Sequence, residues 1–123
     1  WLKANYDLSR MLDIAVDGSL YLLAEGGDIH LFLNNAPSLV LRSALTEPVA
    51  SGARLYTNEN LKYIYVLDPQ NERLIQMTKK GELQKQYISP QLKDAASFAV
   101  SPDEKQIYVL ANDKIFRIDI ISR

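Results

Sequence analysis

The sequence contains three copies of one segment, and this repeat constrains the fold more than any other feature of the chain. Each copy has a short apolar run around a tyrosine, and Tyr21, Tyr65 and Tyr108 are separated by 44 and 43 residues. A second apolar run follows each of them after a polar turn. Periodic aromatic residues of this kind are normally part of a core. We therefore expect the three tyrosines to pack between neighbouring repeats.

Alternating apolar and polar residues, rich in β-branched and aromatic types, predict short strands inside each copy. The first two copies contain four such segments each, and the third contains three, so the third copy stops one strand short. Turn-forming residues separate the segments, as in Asp17-Gly18 and Asn112-Asp113. The predicted strands are 13–17, 19–24, 28–33 and 38–42, then 53–57, 63–67, 73–77 and 83–88, then 97–101, 106–111 and 114–120.

A repeat of about 40 to 50 residues made of four strands is typical of a β-propeller blade. The predicted fold class is all-β, a partial β-propeller of about three four-stranded antiparallel blades in a single domain, 1–123. We place the blades at about 11–45, 52–90 and 95–123, with 1–5 as an N-terminal outer strand. Closed propellers need about four to eight blades. A second chain or upstream sequence is therefore expected to complete the ring, to six blades in the case of a second copy.

Composition and charge exclude several classes of partner. The 14 basic and 15 acidic residues leave a formal net charge of −1, which provides no electrostatic footprint for nucleic acid. The longest apolar runs, 20–24 and 29–33, are far shorter than the roughly 20 residues of a membrane helix, so direct membrane insertion by this segment is not expected. The chain has no cysteine, which excludes disulfides and thiolate ligands. Its compartment stays open on these grounds.

No set of catalytic residues can be recognised. His30 is the only histidine, so a histidine pair for a metal cannot form and a serine-histidine-acid triad is not expected. We expect it to be a half-buried or rim residue that shares one side of its strand with Phe32. The acidic residues lie mainly at strand ends, where carboxylates cap turns. The sequence has no calcium loop, phosphate-binding glycine loop or nucleophile elbow. It therefore predicts no cofactor and no enzyme.

A propeller without catalytic groups would act by binding. The side chains nearest the axis come from the innermost strand of each blade, and a rim residue can add to them. The candidate channel or rim residues are Asp13, Asp17, His30, Arg54, Tyr56, Asn58 and Ser97.

Three sequence segments resemble blades of the NHL and YVTN-type propellers, namely 13–23, 63–74 and 98–110. Together with their flanking residues they cover nearly the whole chain. The chain is also similar to the C-terminal propeller segment of large uncharacterised bacterial proteins. This resemblance implies a binding scaffold for a protein, peptide or glycan, with a protein or peptide partner favoured, and an extracytoplasmic place in a larger bacterial protein. Two alternatives remain: part of a metal-dependent lactonase-like or lyase-like propeller enzyme, or a dimerisation module that forms a homodimer.

Overall fold

The computed structural model describes residues 8–33, 36–41 and 48–120, and in this part of the chain the regular structure is β-strand with two short 3₁₀ turns. The strands are β1 (Met11–Val16), β2 (Leu20–Ala24), β3 (Ile29–Leu33), β4 (Ala36–Leu41), β5 (Arg54–Tyr56), β6 (Tyr63–Asp68), β7 (Arg73–Thr78), β8 (Leu83–Ile88), β9 (Ala95–Val100), β10 (Gln106–Ala111) and β11 (Lys114–Asp119).

The strands form three antiparallel sheets that follow the order of the chain. The first blade is β1-β2-β3-β4, the second is β5-β6-β7-β8, and the third is β9-β10-β11. The predicted all-β partial propeller is confirmed, as is the missing fourth strand of the third blade among the described residues. The proposed outer strand 1–5 and the end of the first blade at 42–45 lie outside the described residues.

The two 3₁₀ turns, Pro69–Asn71 and Pro90–Asp94, lie in the connections around the second blade. The first falls on a predicted turn. The second was not predicted, because Ser89-Pro90 only indicates a change of chain direction. In the structure the Ser89 hydroxyl accepts a hydrogen bond from the Gln91 amide at 3.3 Å, which caps the turn. Leu92 is then fully buried in the apolar core between the second and third blades.

Each blade has two faces with different roles, because side chains alternate across a strand. We call the face that carries the second-strand tyrosine the trailing face, and the opposite one the leading face. The trailing face of the first blade, with Tyr21 and Leu23, packs on the leading face of the second, with Ile64 and Val66. This contact forms the first of two apolar cores.

The second core repeats the arrangement one blade further along. Tyr65 and Leu67 on the trailing face of the second blade pack on Phe98, Ile107 and Val109 on the leading face of the third. The second blade is therefore covered on both faces. All residues of β6 except Tyr63 and all residues of β7 except Thr78 are buried. The prediction that the recurring tyrosines pack between blades is confirmed for Tyr21 and Tyr65.

Candidate functional site

The first strands of neighbouring blades lie side by side, since β1 contacts β5 and β5 contacts β9. They are the innermost strands of the fan. Asp13, Arg54 and Ser97 occupy equivalent positions on them, each paired across its sheet with the residue two places after the second-strand tyrosine. Three of the predicted residues thus stand at the same level of three adjacent inner strands.

These three side chains differ in their burial and in the hydrogen bonds that they make within the protein. The Asp13 carboxylate is half-buried and accepts hydrogen bonds from the Ile14 amide at 2.9 Å and from the Leu55 amide of the next blade at 2.8 Å. It therefore joins β1 to β5. Arg54 and Ser97 are exposed, and the Arg54 guanidinium donates one long hydrogen bond, 3.4 Å, to the carbonyl of Ala53. Arg54 is the charged group on this level that remains open to a ligand.

A second group of predicted residues meets where the inner strands end. Asp17, after β1, and Asn58, after β5, are both contacted by Lys79 from the β7–β8 turn. Its ammonium group donates to the Asp17 carboxylate at 2.6 Å and to the Asn58 carbonyl at 3.0 Å. The Asp17 carboxylate also accepts from the Tyr21 hydroxyl at 2.9 Å. Burial, followed by this carboxylate, raises the pKa of Tyr21. The group is a bridge between the first two blades, with Lys79 partly exposed.

Two predicted residues lie apart from these groups. Tyr56 packs against the second apolar core, where its ring centroid is 5.6 Å from that of Phe98. His30 is half-buried on the third strand of the first blade, between Leu22 and Val40 on the neighbouring strands. The alternation argument therefore gave the correct exposure for His30, while its third-strand position keeps it off the innermost strands.

Sequence reasoning missed the carboxylate of Glu104, which joins the second and third blades. It accepts hydrogen bonds from the Lys62 amide at 2.6 Å, the Tyr63 amide at 3.1 Å and the Tyr65 hydroxyl at 2.9 Å. Gln76 donates to the same hydroxyl at 3.2 Å. Burial is the main reason why the pKa of Tyr65 is raised. The only local signal in the sequence was the short turn between the predicted strands 97–101 and 106–111. In the structure this turn is tight, and Glu104 within it has a positive φ of 58°.

A buried ion pair on the other side of the second blade has no counterpart among the predicted site residues. Asp68 is fully buried, and its carboxylate accepts from Arg73 at 2.9 Å, from Asn71 at 2.8 Å and from the Ala50 amide at 3.2 Å. Because all these donors lie within or beside the second blade, the pair fixes the linker before β5 and the β6–β7 connection. We assign it to the fold.

The described residues contain no group of three histidine, cysteine, aspartate or glutamate side chains that could hold a metal ion. They also contain no helix with the length and apolar character needed to span a membrane.

Shallow grooves lie on the third blade. One, of about 200 Å³, runs along its trailing face beside Tyr108 and Leu110, and another, of about 300 Å³, lies near Asn112 and Phe116.

No protein-family model and no curated protein matches the sequence. Solved structures do match. A catalytically inactive variant of virginiamycin B lyase from Staphylococcus aureus, with quinupristin, has 14% identity and a TM-score of 0.61, over 98% of this chain and 45% of the lyase. A Bacteroides fragilis protein assigned as exported has 12% identity and a TM-score of 0.62, over 96% and 38% of the two chains. KlHsv2 with one loop replaced has 12% identity and a TM-score of 0.60, over 89% and 35%.

The lyase and the exported protein are β-propeller proteins, and the chain spans less than half of the length of each of the three neighbours. The prediction that the chain is not an enzyme is contradicted by this comparison, because virginiamycin B lyase is an enzyme. The prediction was wrong because a complete set of catalytic groups was expected within one chain. A propeller site can draw residues from several blades around the axis, and three blades need not contain all of them. At these identities, the likeness shows that the chain has the fold of a β-propeller.

Proposed function

We propose that the chain provides part of a ligand-binding surface at the centre of a β-propeller, and that Arg54 is its principal contact. The observation that carries this proposal is the exposed Arg54 on the innermost strand of the central blade, with the exposed Ser97 at the equivalent position of the next blade. Neither side chain contributes to the apolar cores. The fold does not explain why an arginine stands there.

The chemistry of Arg54 suggests the class of ligand. A guanidinium group presents several N–H donors in a planar fork that suits carboxylates, and exposed arginines are frequent anchors of protein interfaces. The hydrogen bond from Arg54 to the Ala53 carbonyl is long and engages only one of these donors. A protein or peptide that bears a carboxylate side chain or a free C-terminus fits this site. The resemblance of the blades to NHL-type repeats, which serve as interaction platforms, supports the same partner class.

The comparisons support the proposal in a more general way. The virginiamycin B lyase structure was solved with quinupristin, so a propeller of this fold can hold an organic ligand. A neighbour assigned as exported is compatible with an extracytoplasmic place for this chain, which we propose on that basis.

A second candidate function is a contribution to a propeller enzyme, and it is favoured by the lyase names among the neighbours. In that case Arg54 would orient a substrate while other blades supply the reacting groups. The described residues offer no metal site of their own. Further ligands for a metal-dependent reaction would have to come from outside the described residues.

The binding proposal can be tested by selecting peptides from a random phage-displayed library on the immobilised chain and measuring the affinity of the enriched peptides by fluorescence anisotropy. We expect enrichment of peptides with Asp, Glu or a free C-terminus. Arg54→Ala should weaken their binding about tenfold or more, because a hydrogen bond to a charged group is lost. Arg54→Lys should restore part of the affinity.

Lys93→Ala is the matched control, since Lys93 is an exposed cation on the 3₁₀ turn that follows the outermost strand of the second blade. It should leave the affinities unchanged. The proposal would be overturned if no peptide were enriched over an empty surface, or if Arg54→Ala and Lys93→Ala had equal effects.

A further inference from the structure

The trailing face of the third blade is exposed, although the same face is buried in the other two blades. The leucine two positions after the second-strand tyrosine is fully buried in the first and second blades, as Leu23 and Leu67, but Leu110 is 43% exposed. Tyr108 is 40% exposed. Ile115, across from Leu110 on β11, is 73% exposed, whereas its equivalents on β3 and β7 are fully buried. This face has the composition of an interblade contact, and among the described residues no neighbouring blade packs on it.

The leading face of the first blade also has exposed apolar side chains, and they lie along its inner strand, β1. Ile14 and Val16 are 55% and 61% exposed. By sheet register, Ile14 is equivalent to Leu55 and Phe98, and Val16 is equivalent to Val100. All three of these equivalents are buried against the preceding blade. Further out on the same face Leu22, Ala24 and Phe32 are already buried and Leu20 and His30 are half-buried, so the exposed apolar part of this face lies on β1.

We propose that the trailing face of the third blade binds the leading face of the first blade in a second copy of this chain. The trailing face of the third blade and the exposed residues of β1 correspond, at the level of the inner strands, to the two sides of the contact that the chain already makes twice, between its first and second and between its second and third blades. They cannot meet within one chain, because the second blade lies between them. Two copies related by a two-fold axis would satisfy both faces of each and give a ring of six blades. This inference is independent of the proposed ligand site.

The chemistry on each side fits this occupant. Ser97 and Ala99 leave room on the inner strand of the third blade, next to the shallow groove along its trailing face. Ile14 and Val16 are apolar, like Leu55, Phe98 and Val100 at the equivalent places in the two existing cores. The exposed Arg117 on β11 pairs with Asp119 at 3.2 Å at the edge of the face. Most of the proposed contact is therefore apolar, as in the cores.

The experiment is a measurement of molar mass by sedimentation equilibrium over a concentration series, with one charge introduced on each face. We expect the wild-type chain to be a dimer. Leu110→Glu and Val16→Lys should each weaken self-association at least tenfold, because each buries a charge in both contacts of the ring. Ile88→Arg is the matched control, since Ile88 is 75% exposed on the outermost strand of the second blade, away from both faces. It should dimerise like the wild type.

Mixing the two charged variants tests the geometry of the contact. In a mixed pair, the third blade of the Leu110→Glu chain meets the first blade of the Val16→Lys chain, so the two introduced charges are opposite in sign and lie in the same contact. The other contact of that pair has the wild-type residues on both sides. The mixture should therefore form a heterodimer that neither variant forms alone.

Two results would overturn the proposal. One is a folded wild-type monomer at 100 times the concentration used to assay the variants. The other is a dimer that Leu110→Glu disrupts and Val16→Lys does not. Circular dichroism of each variant shows whether it is folded, and the mixture restores association only if both are.

Discussion

Tyr21, Tyr65 and Tyr108 occupy the same position in three blades, but their surroundings differ because only the first two of these blades pack against a following blade. Tyr21 donates to Asp17, Tyr65 donates to Glu104, and both rings are buried. The sequence period was sufficient to predict that Tyr21 and Tyr65 pack between blades, and the same prediction was wrong for Tyr108, which is 40% exposed. It could not identify the carboxylates that receive their hydroxyl groups, because Glu104 lies 39 residues from Tyr65 and only the folded chain brings them together.

The raised pKa values of Tyr21 and Tyr65 predict a loss of stability at high pH. Burial raises both values above the ordinary value of 10.0, so the folded state keeps its protons where the unfolded state loses them. Their contribution to the free energy of unfolding is complete below about pH 10 and decreases above it, by up to about 1.4 kcal/mol per pH unit for each tyrosine. The measurement is urea unfolding between pH 8 and about 11.

Tyr65→Phe should flatten this decrease, because the variant has one buried hydroxyl fewer to ionise on unfolding. It should also lower stability at neutral pH by about 1 kcal/mol, since Glu104 and Gln76 lose a partner. Tyr108→Phe is the control, because Tyr108 is 40% exposed. Equal pH dependence in the wild type and in Tyr65→Phe would contradict the assignment.

At the scale of the elements, strands were easier to predict than the connections between them. Alternation identifies a strand from its own residues, and the eleven predicted strands all correspond to strands in the described part of the chain. The 3₁₀ turn Pro90–Asp94 depends instead on the burial of Leu92 beneath it, which is a tertiary contact. The β7–β8 hairpin likewise depends on what it touches, because its tip, at Gly81, lies against β4 of the preceding blade.

Gly81→Ala should therefore destabilise the chain. Gly81 has a positive φ of 90°, and an added Cβ would lie 3.1 Å from the Cβ of Leu41. The left-handed backbone alone costs about 1 to 2 kcal/mol for a residue with a side chain. Gly52→Ala is the control, since a Cβ there meets only the end of the Gln70 side chain at 3.7 Å. Urea unfolding should show the loss for Gly81→Ala and a change within about 0.5 kcal/mol for Gly52→Ala. Equal stability of the two variants would contradict the described turn.

At the scale of the whole molecule, the account depends on blades that are stacked in chain order, each with its tyrosine-bearing face on the next. The period predicted this arrangement because a blade can bury its faces only against its neighbours. The prediction that the chain is not an enzyme was wrong for a reason at the same scale, because the catalytic groups of a propeller belong to the complete ring and only three blades were considered. The sequence pattern placed Arg54 on an inner strand, but it did not predict the polar bridges between blades, because these join residues that are distant in sequence.

The most direct test of the stacking is a nuclear Overhauser spectrum of the isotopically labelled chain. The rings of Tyr56 and Phe98 belong to the inner strands of the second and third blades, and their centroids are 5.6 Å apart. We predict cross-peaks between the protons of these rings, which Phe98→Leu should remove. If both rings are assigned in the folded wild-type chain and no cross-peak joins them, the second and third blades are not stacked as described, and the propeller arrangement is wrong.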